Sequence, residues 1–185
     1  MAEEARLVQP VDGETFLIDL AYQGQPEGVG VYLLVDEHPA LVDVGPTPNL
    51  PRLLSGIRAA GLEPEAIEYV FLTHIHLDHA GGAGVLARSL PRARFLVHPR
   101  GAPHLVDPTR LVQSAGRLFG EAMATLYGEV APLPGDAVRA LEDGEEVVLG
   151  RRRLVAVATP GHAKHHHAYW EPGRRWVYAG DVAGI

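Results

Sequence analysis

Residues 73–82 read THIHLDHAGG, and this stretch places three histidines and one aspartate within six consecutive positions. The apolar run immediately before it, residues 67–72, has the composition of a mostly buried β-strand. The alanine and the two glycines that follow are typical of the opening of a helix. The sequence therefore predicts a loop between a strand and a helix that is rich in metal-binding side chains.

The spacing within this loop indicates two metal positions. His74 and His76 are two residues apart, so at the end of a strand both rings can point to one side and bind a single cation. Asp78 and His79 lie beyond the turn and are badly placed for that same ion. They are able to reach a second ion close by, which is the arrangement that two-metal hydrolytic sites use to activate a water molecule.

Three other apolar runs lead to a histidine or an aspartate that could bind a metal. His162 follows the run at residues 154–158, and Asp181 follows the run at residues 176–178. Asp43 ends a further run and precedes a turn glycine. Gly-Asp and Asp-Val-Gly also occur in ordinary turns, so each aspartate alone is weak evidence. Together, these strand ends predict that several loops deliver ligands to one place.

The motif HxHxDH, followed at a distance by histidine and aspartate, resembles the metallo-β-lactamase superfamily over nearly the whole chain. The resemblance implies an α+β fold, namely a four-layer αββα sandwich with a two-metal site at the edge between its sheets. The implied metal ligands are His74, His76 and His162 for the first metal, Asp78 and His79 for the second, and Asp181 bridging both.

The resemblance also implies that Asp43 and His166 orient the ligands without contacting the metals. Most members complete the second metal with a histidine well beyond the bridging aspartate, whereas this sequence ends at Ile185. We therefore expect the C-terminal part of the domain to be truncated and the second site to be incomplete. His165 or His167 is a weaker substitute, because adjacent residues of a strand face opposite sides.

The activity that the resemblance implies is hydrolysis by a hydroxide that two divalent ions share. Zinc is the ion that the nitrogen and oxygen donors favour, and iron and manganese are alternatives. Asp78 is the implied catalytic residue, because it would orient the attacking water and carry its proton. The resemblance to glyoxalase II, a hydroxyacylglutathione hydrolase, is closest at the motifs HxHxDH and TPGH. The expected substrate is therefore a small ester, thioester or lactone.

Three alternatives stay open at this point. One is an iron-dependent oxygenase or redox member of the superfamily, although diiron electron-transfer members typically have glutamate where this chain has His76. Another is a phosphodiesterase or nuclease member. The third is a scaffold without turnover, which predicts lost ligands that this chain retains. The 16 basic and 23 acidic residues give a net charge of −7, which is weak evidence against nucleic acid. The partner that the resemblance implies is a small-molecule substrate.

Length and composition predict one domain over residues 1–185, with a helical insertion at about residues 101–131. That insertion is expected to pack on the domain, with a lid or a homodimer surface as the alternative. The sequence has neither a long apolar stretch nor the features of a signal peptide, so we expect a cytoplasmic protein that does not contact membranes. The absence of cysteine excludes disulfides and thiolate ligands.

The rest of the sequence predicts a βββα start, then repeated βα units, then paired strands. Helix signals and strand signals give the approximate bounds of each element. The further predicted elements are strands at 15–19, 30–35, 40–43 and 94–97, helices at 50–60, 82–90 and 109–127, and a hairpin over 144–158 that turns near Gly150.

Overall fold

The structure is a computed structural model, and it describes residues 7–183. In that part of the chain, eleven strands form two sheets. The first sheet contains β1 Val8–Pro10, β2 Thr15–Asp19, β3 Gly30–Leu34, β4 Ala40–Val42, β5 Tyr69–Phe71, β6 Arg94–Val97 and β7 Val138–Ala140. The second contains β8 Glu146–Val148, β9 Arg153–Ala158, β10 His167–Glu171 and β11 Trp176–Tyr178.

The first sheet is antiparallel in one half and parallel in the other. Its strands follow one another in sequence order from β1 to β7. Strands β1 to β4 pair antiparallel as a meander, whereas β4 to β7 pair parallel. The chain crosses from one parallel strand to the next through helices and loops, as parallel pairing requires. Consequently the carboxyl ends of β4, β5 and β6 lie at the same edge of the sheet.

The helices of residues 7–183 cover one face of the first sheet. They are α1 Leu50–Ala59, α2 Leu77–Ala80, α3 Ala83–Leu86, α4 Ala102–Val106, α5 Thr109–Phe119 and α6 Ala122–Tyr127. In α1, Leu50, Leu53 and Ile57 recur at helical spacing and are buried in the same apolar cluster as strand residues such as Ile18. The prediction of a helix at 50–60 is therefore confirmed.

The second sheet packs on the opposite face of the first. A separate apolar cluster joins the sheets, with Phe71 from β5 and Tyr169 from β10 in edge-to-face contact at 5.0 Å between ring centroids. On the outer side of the second sheet, Val148, Val157 and Val177 are exposed. Residues 7–183 thus supply a helical layer and two packed sheets.

One predicted helix is confirmed and another is broken in the structure. The helix predicted at 82–90 is α3, which a 3₁₀ turn at Ala87–Ser89 continues. The short α2 before it lies in the predicted loop, and the amide of Gly82, which donates to the carbonyl of Gly45 at 2.9 Å, separates the two helices. The helix predicted over 109–127 is divided into α5 and α6 at Gly120, whose φ of +53° cannot continue a right-handed helix. Sequence periodicity alone did not reveal this break.

The segment from residue 101 to 131 is anchored by Leu105 and Tyr127 near its ends and is exposed in its middle. It contains α4, α5 and α6, and Leu105 of α4 is buried against the core. None of the residues of α5 is buried, and Leu118 in that helix is 77% exposed. No helix among residues 7–183 is long and apolar enough to cross a membrane.

A buried ion pair ties the second sheet to the meander. Arg152 donates to both carboxylate oxygens of Glu171 at 2.9 and 2.8 Å, and also to the hydroxyl of Tyr178 at 2.9 Å. The same guanidinium donates to the carbonyl of Glu14 at 3.0 Å. Arg152 and Glu171 are almost fully buried. The bidentate pair therefore holds the end of β10, and the hydrogen bond to Tyr178 ties it to β11, the strand that precedes Asp181.

Candidate metal centre

Three loops, one from the first sheet and two from the second, meet at one edge of the molecule. His74 and His76 lie just after β5, and His79 lies in α2, which follows them. His162 lies after β9, and Asp181 lies after β11. The structure therefore brings together residues that are far apart in the sequence and that the strand-end pattern singled out.

The first group of potential ligands consists of His74, His76 and His162. One nitrogen from each ring lies within 4.8 Å of the others, so the three could hold one metal ion. The Nδ1 of His76 and the Nε2 of His162 are 2.9 Å apart. The ring of His74 is fully buried, and within the described residues its Nε2 has no hydrogen-bond partner. Buried polar atoms nearly always have a hydrogen-bond partner or a bound ion, and a cation would fill this role for the Nε2 of His74.

The second group consists of His74, His79 and Asp181, again within 4.8 Å of one another. Asp181 faces both groups with different oxygens. Its Oδ1 lies 3.1 Å from the Nε2 of His79, while its Oδ2 lies 3.3 Å from the Nε2 of His162 and 3.9 Å from that of His74. The carboxylate therefore stands between two sets of imidazoles.

Asp78 lies beside the second group without belonging to it. Its Oδ2 is 3.8 Å from the Nε2 of His79, and 35% of its side chain is exposed. A cleft of about 690 Å³ opens here, and Asp78 lines it together with His162, Asp181 and the apolar surface of Tyr32 and Val177. Asp78 is thus accessible to a molecule in the cleft.

Asp43 stands behind the histidines rather than among them. Its φ of 63° is uncommon for a residue other than glycine. Its side chain accepts hydrogen bonds from the amide of Thr73 at 2.8 Å, from the hydroxyl of Thr73 and from the Nδ1 of His79 at 2.9 Å. A carboxylate that holds the far nitrogen of a histidine fixes the ring and leaves the other nitrogen free.

His166 forms hydrogen bonds with Thr159 and with the backbone of Asp181. Its Nδ1 lies 2.8 Å from the hydroxyl of Thr159, and its Nε2 accepts from the amide of Asp181 at 3.2 Å. Its ring also stacks on that of His74, with centroids 4.9 Å apart. His166 therefore packs against one histidine of the centre and holds the backbone of the carboxylate.

Sequence reasoning missed Thr73, Thr159 and Gly180. Gly180 has a φ of +53°, and a Cβ there would lie 2.7 Å from the Nε2 of His166 and 2.8 Å from the Cβ of Thr73. Only glycine fits this position without displacement. Their positions in the sequence could have identified them. Thr73 directly precedes His74, Thr159 begins the TPGH motif that ends in His162, and Gly180 directly precedes Asp181.

His165 and His167, the proposed substitutes for a missing ligand, belong to neither group. The ring of His165 lies 5.7 Å from that of His76, measured between centroids. The ring of His167 packs against that of His98 at 4.6 Å. Among the described residues, no ring nitrogen of the buried His167 has a hydrogen-bond partner.

The charges of the centre favour a cation. Burial lowers the pKa of His74 to about 2, and neighbouring His79 and His76 act in the same direction. Burial also opposes the charged form of His79, but the carboxylates of Asp43 and Asp181 outweigh it and raise that pKa to about 11. The hydrogen bond from His79 holds the pKa of Asp181 below its usual value. Without a metal ion, His74 is therefore neutral, whereas His79 carries the positive charge that the carboxylates of Asp43 and Asp181 attract.

Comparison with known proteins agrees with this arrangement. The sequence profile of the metallo-beta-lactamase superfamily matches residues 24–185. The chain belongs to this superfamily. The expected fold class is also confirmed, because the two sheets with their helices match solved members of the superfamily.

Three similar proteins illustrate the relationship. A metallo-beta-lactamase fold-containing protein of Sulfurisphaera tokodaii is 31% identical over 123 residues, or 65% of this chain and 46% of that protein. A hydroxyacylglutathione hydrolase of Legionella pneumophila is 22% identical over 126 residues, or 68% of this chain and 37% of that protein. The crystal structure of the metallo-beta-lactamase SMB-1 matches with a TM-score of 0.67 and 26% identity, covering 88% of this chain and 57% of that one. The chain spans less than half the length of these two curated relatives.

Proposed function

We propose that this protein is a metal-dependent hydrolase with a binuclear centre that acts on a small carboxylic ester, thioester or lactone. The observation that carries this proposal is the position of Asp181. Its two carboxylate oxygens face different imidazoles, at 3.1 Å from His79 and 3.3 Å from His162. A carboxylate in this position is suited to bridge two ions.

The residues present fit divalent metal ions. Imidazole and carboxylate are the donors that zinc accepts, and cysteine is absent from the sequence. The buried Nε2 of His74 lacks a protein partner among the described residues, which a first ion would provide. His74, His76 and His162 would hold this ion, while His79 and Asp78 would hold the second and Asp181 would contact both. Zinc is the metal that we propose, with iron and manganese as the alternatives to be tested.

Metal ions bound there would supply Lewis acidity and lower the pKa of a shared water molecule. The chain supplies the remaining functions. Asp78 is open to the cleft and would orient the attacking water, accept its proton and pass that proton to the leaving group. Asp43 and His166 would hold His79 and Asp181 in place during this step. No side-chain nucleophile is required.

The substrate class rests on the relatives and on the cleft. Hydroxyacylglutathione hydrolases are among the similar proteins, and their name specifies a thioester. The solved β-lactamases hydrolyse a cyclic amide, as their name states. Both reactions attack an acyl carbon, and the cleft of about 690 Å³ beside Asp78 has room for a small molecule.

The test is a substrate panel on protein reconstituted with zinc, with manganese or anaerobically with iron. It contains an S-acyl thioester, an aryl ester, a lactone, a β-lactam and a phosphodiester. We expect hydrolysis of at least one carboxylic ester, thioester or lactone with zinc, and its loss in Asp181→Asn. The matched control is Asp107→Asn, which changes an exposed aspartate outside the centre and should leave the rate unchanged.

Several results would overturn the proposal. They are hydrolysis of the phosphodiester or the β-lactam alone, turnover that requires iron and dioxygen, and wild-type activity in Asp181→Asn. Inactivity of the zinc-loaded protein towards the whole panel would also count against it.

A further inference from the structure

Thr73 directly precedes the HxHxDH motif and contacts both Asp43 and His74. It is almost fully buried, with 1% of its surface exposed. Its hydroxyl lies 2.9 and 3.0 Å from the two carboxylate oxygens of Asp43 and 3.0 Å from the Nδ1 of His74. We propose that Thr73 is a positioning residue that fixes the tautomer of His74 and relays the orienting effect of Asp43 to the first metal position. This inference rests on the proposed metal centre.

The protons of this network can be assigned from its acceptors. A threonine hydroxyl has one proton to donate and can accept one hydrogen bond at the same time. If the hydroxyl donated to His74, its oxygen lone pairs would face the carboxylate of Asp43 at hydrogen-bonding distance, and the two would repel. The hydroxyl therefore donates to Asp43 and accepts from the Nδ1–H of His74. This assignment leaves the Nε2 of His74 with a free lone pair.

Asp43 thereby orients one histidine of each group by a different route. It accepts directly from the Nδ1 of His79 at 2.9 Å, which leaves the Nε2 of His79 facing Asp181. It reaches His74 only through the hydroxyl of Thr73. In the proposed centre His74 holds the first ion and His79 the second, so removing that hydroxyl should affect the first metal position and spare the second.

The surroundings make valine a suitable replacement for Thr73. The amide of Thr73 donates to Asp43 at 2.8 Å, and its carbonyl accepts from the amide of His167 at 2.7 Å, so the backbone stays anchored when the side chain changes. Valine has nearly the same shape but lacks the hydroxyl. The buried Nδ1–H of His74 would then have no acceptor, which favours the other tautomer, with the proton on the Nε2 that a metal needs.

The experiment compares Thr73→Val, Thr73→Ser and wild type, with Thr15→Val as the control. Thr15 is also fully buried and lies in β2. Zinc affinities are measured by stepwise competition with a chromophoric chelator, and the tautomer of His74 is read by nitrogen-15 NMR of the metal-free protein. Thermal unfolding of each variant shows that it is folded.

For Thr73→Val we expect the affinity for the first ion to fall by about 10–100-fold, with that for the second ion little changed. The NMR signal should move to the Nε2–H tautomer of His74. Thr73→Ser should restore both properties, and Thr15→Val should resemble wild type. If Thr73→Val unfolds, the inference is tested by the tautomer of His74 in the wild type and by the zinc affinity of Thr73→Ser.

Two results would contradict the inference. One is an unchanged first-ion affinity in Thr73→Val, and the other is wild-type His74 with its proton on Nε2. Because neither readout uses a substrate, an inactive but metal-binding protein would refute the proposed hydrolase and leave the role of Thr73 intact.

Discussion

The loop at residues 73–80 and the helical segment at residues 101–131 differ sharply in how they are held. In the loop, the side chains of His74 and His79 are constrained through hydrogen bonds that end on one carboxylate, Asp43. In the helical segment, α5 has no buried residue and bends into α6 at a left-handed glycine. Hydrogen bonds and burial are therefore concentrated at the loop where chemistry is expected, while the middle of the helical segment is exposed.

The largest effect is expected from Asp78→Ala in the loop. General acid–base groups contribute about 10²–10⁴-fold to rates, so we expect the rate of hydrolysis to fall by this factor while the fold persists. Steady-state kinetics on the best substrate of the panel and the thermal unfolding midpoint measure the two properties. Full activity in this variant would remove Asp78 from the mechanism.

A large effect on stability is expected where the second sheet meets the meander. Arg152→Met leaves the carboxylate of Glu171 buried without its partner, which should lower the free energy of unfolding by about 3–5 kcal/mol. The control is Arg153→Met, because the pair between Arg153 and Glu146 is exposed and contributes about 0–1 kcal/mol. Urea unfolding measures both variants, and equal losses would show that burial of the pair is unimportant.

His166→Ala should have a smaller effect on activity than Asp78→Ala. Residues that orient ligands typically contribute about 10–100-fold to activity or metal affinity. His166 supports the amide of Asp181 at 3.2 Å, so its loss should loosen the carboxylate without removing it. Zinc affinity and the rate of hydrolysis are the measurements. A loss equal to that of Asp78→Ala would promote His166 to a direct role.

The smallest effect is expected in the helical segment. Leu118 is 77% exposed, so Leu118→Ser should change the free energy of unfolding by no more than about 0.5 kcal/mol. Zinc affinity should be unchanged as well. Gel filtration and chelator competition test these expectations together. A change in oligomeric state or in metal affinity would show that this segment is more tightly coupled to the centre than its burial indicates.

The parts that sequence reasoning predicted share a local signature. The strands that were predicted lie within about two residues of the observed ones, because their apolar runs are short and end in recognisable turns. The strands β1, β7 and β10 were not predicted. His74, His76 and His79 were identified by their spacing within one stretch of sequence. The structure adds that His162 and Asp181 reach the same place.

The parts that escaped prediction depend on contacts between distant residues. The short helix α2 lies where the sequence predicts a loop, and the hydrogen bond from Gly82 to Gly45 separates it from α3. The pairing of Arg152 with Glu171 joins the turn before β9 to the end of β10, and nothing in the local sequence identifies it. The relay through Thr73 is invisible for the same reason, since its meaning comes from Asp43, thirty residues earlier.

The most direct test of the binuclear centre is the zinc content of the reconstituted protein, measured by elemental analysis after gel filtration. Because Asp181 faces two sets of imidazoles, we predict about two zinc ions per chain in the wild type. A content of one ion or none, with the fold intact, would contradict the central claim that this carboxylate joins two metal positions.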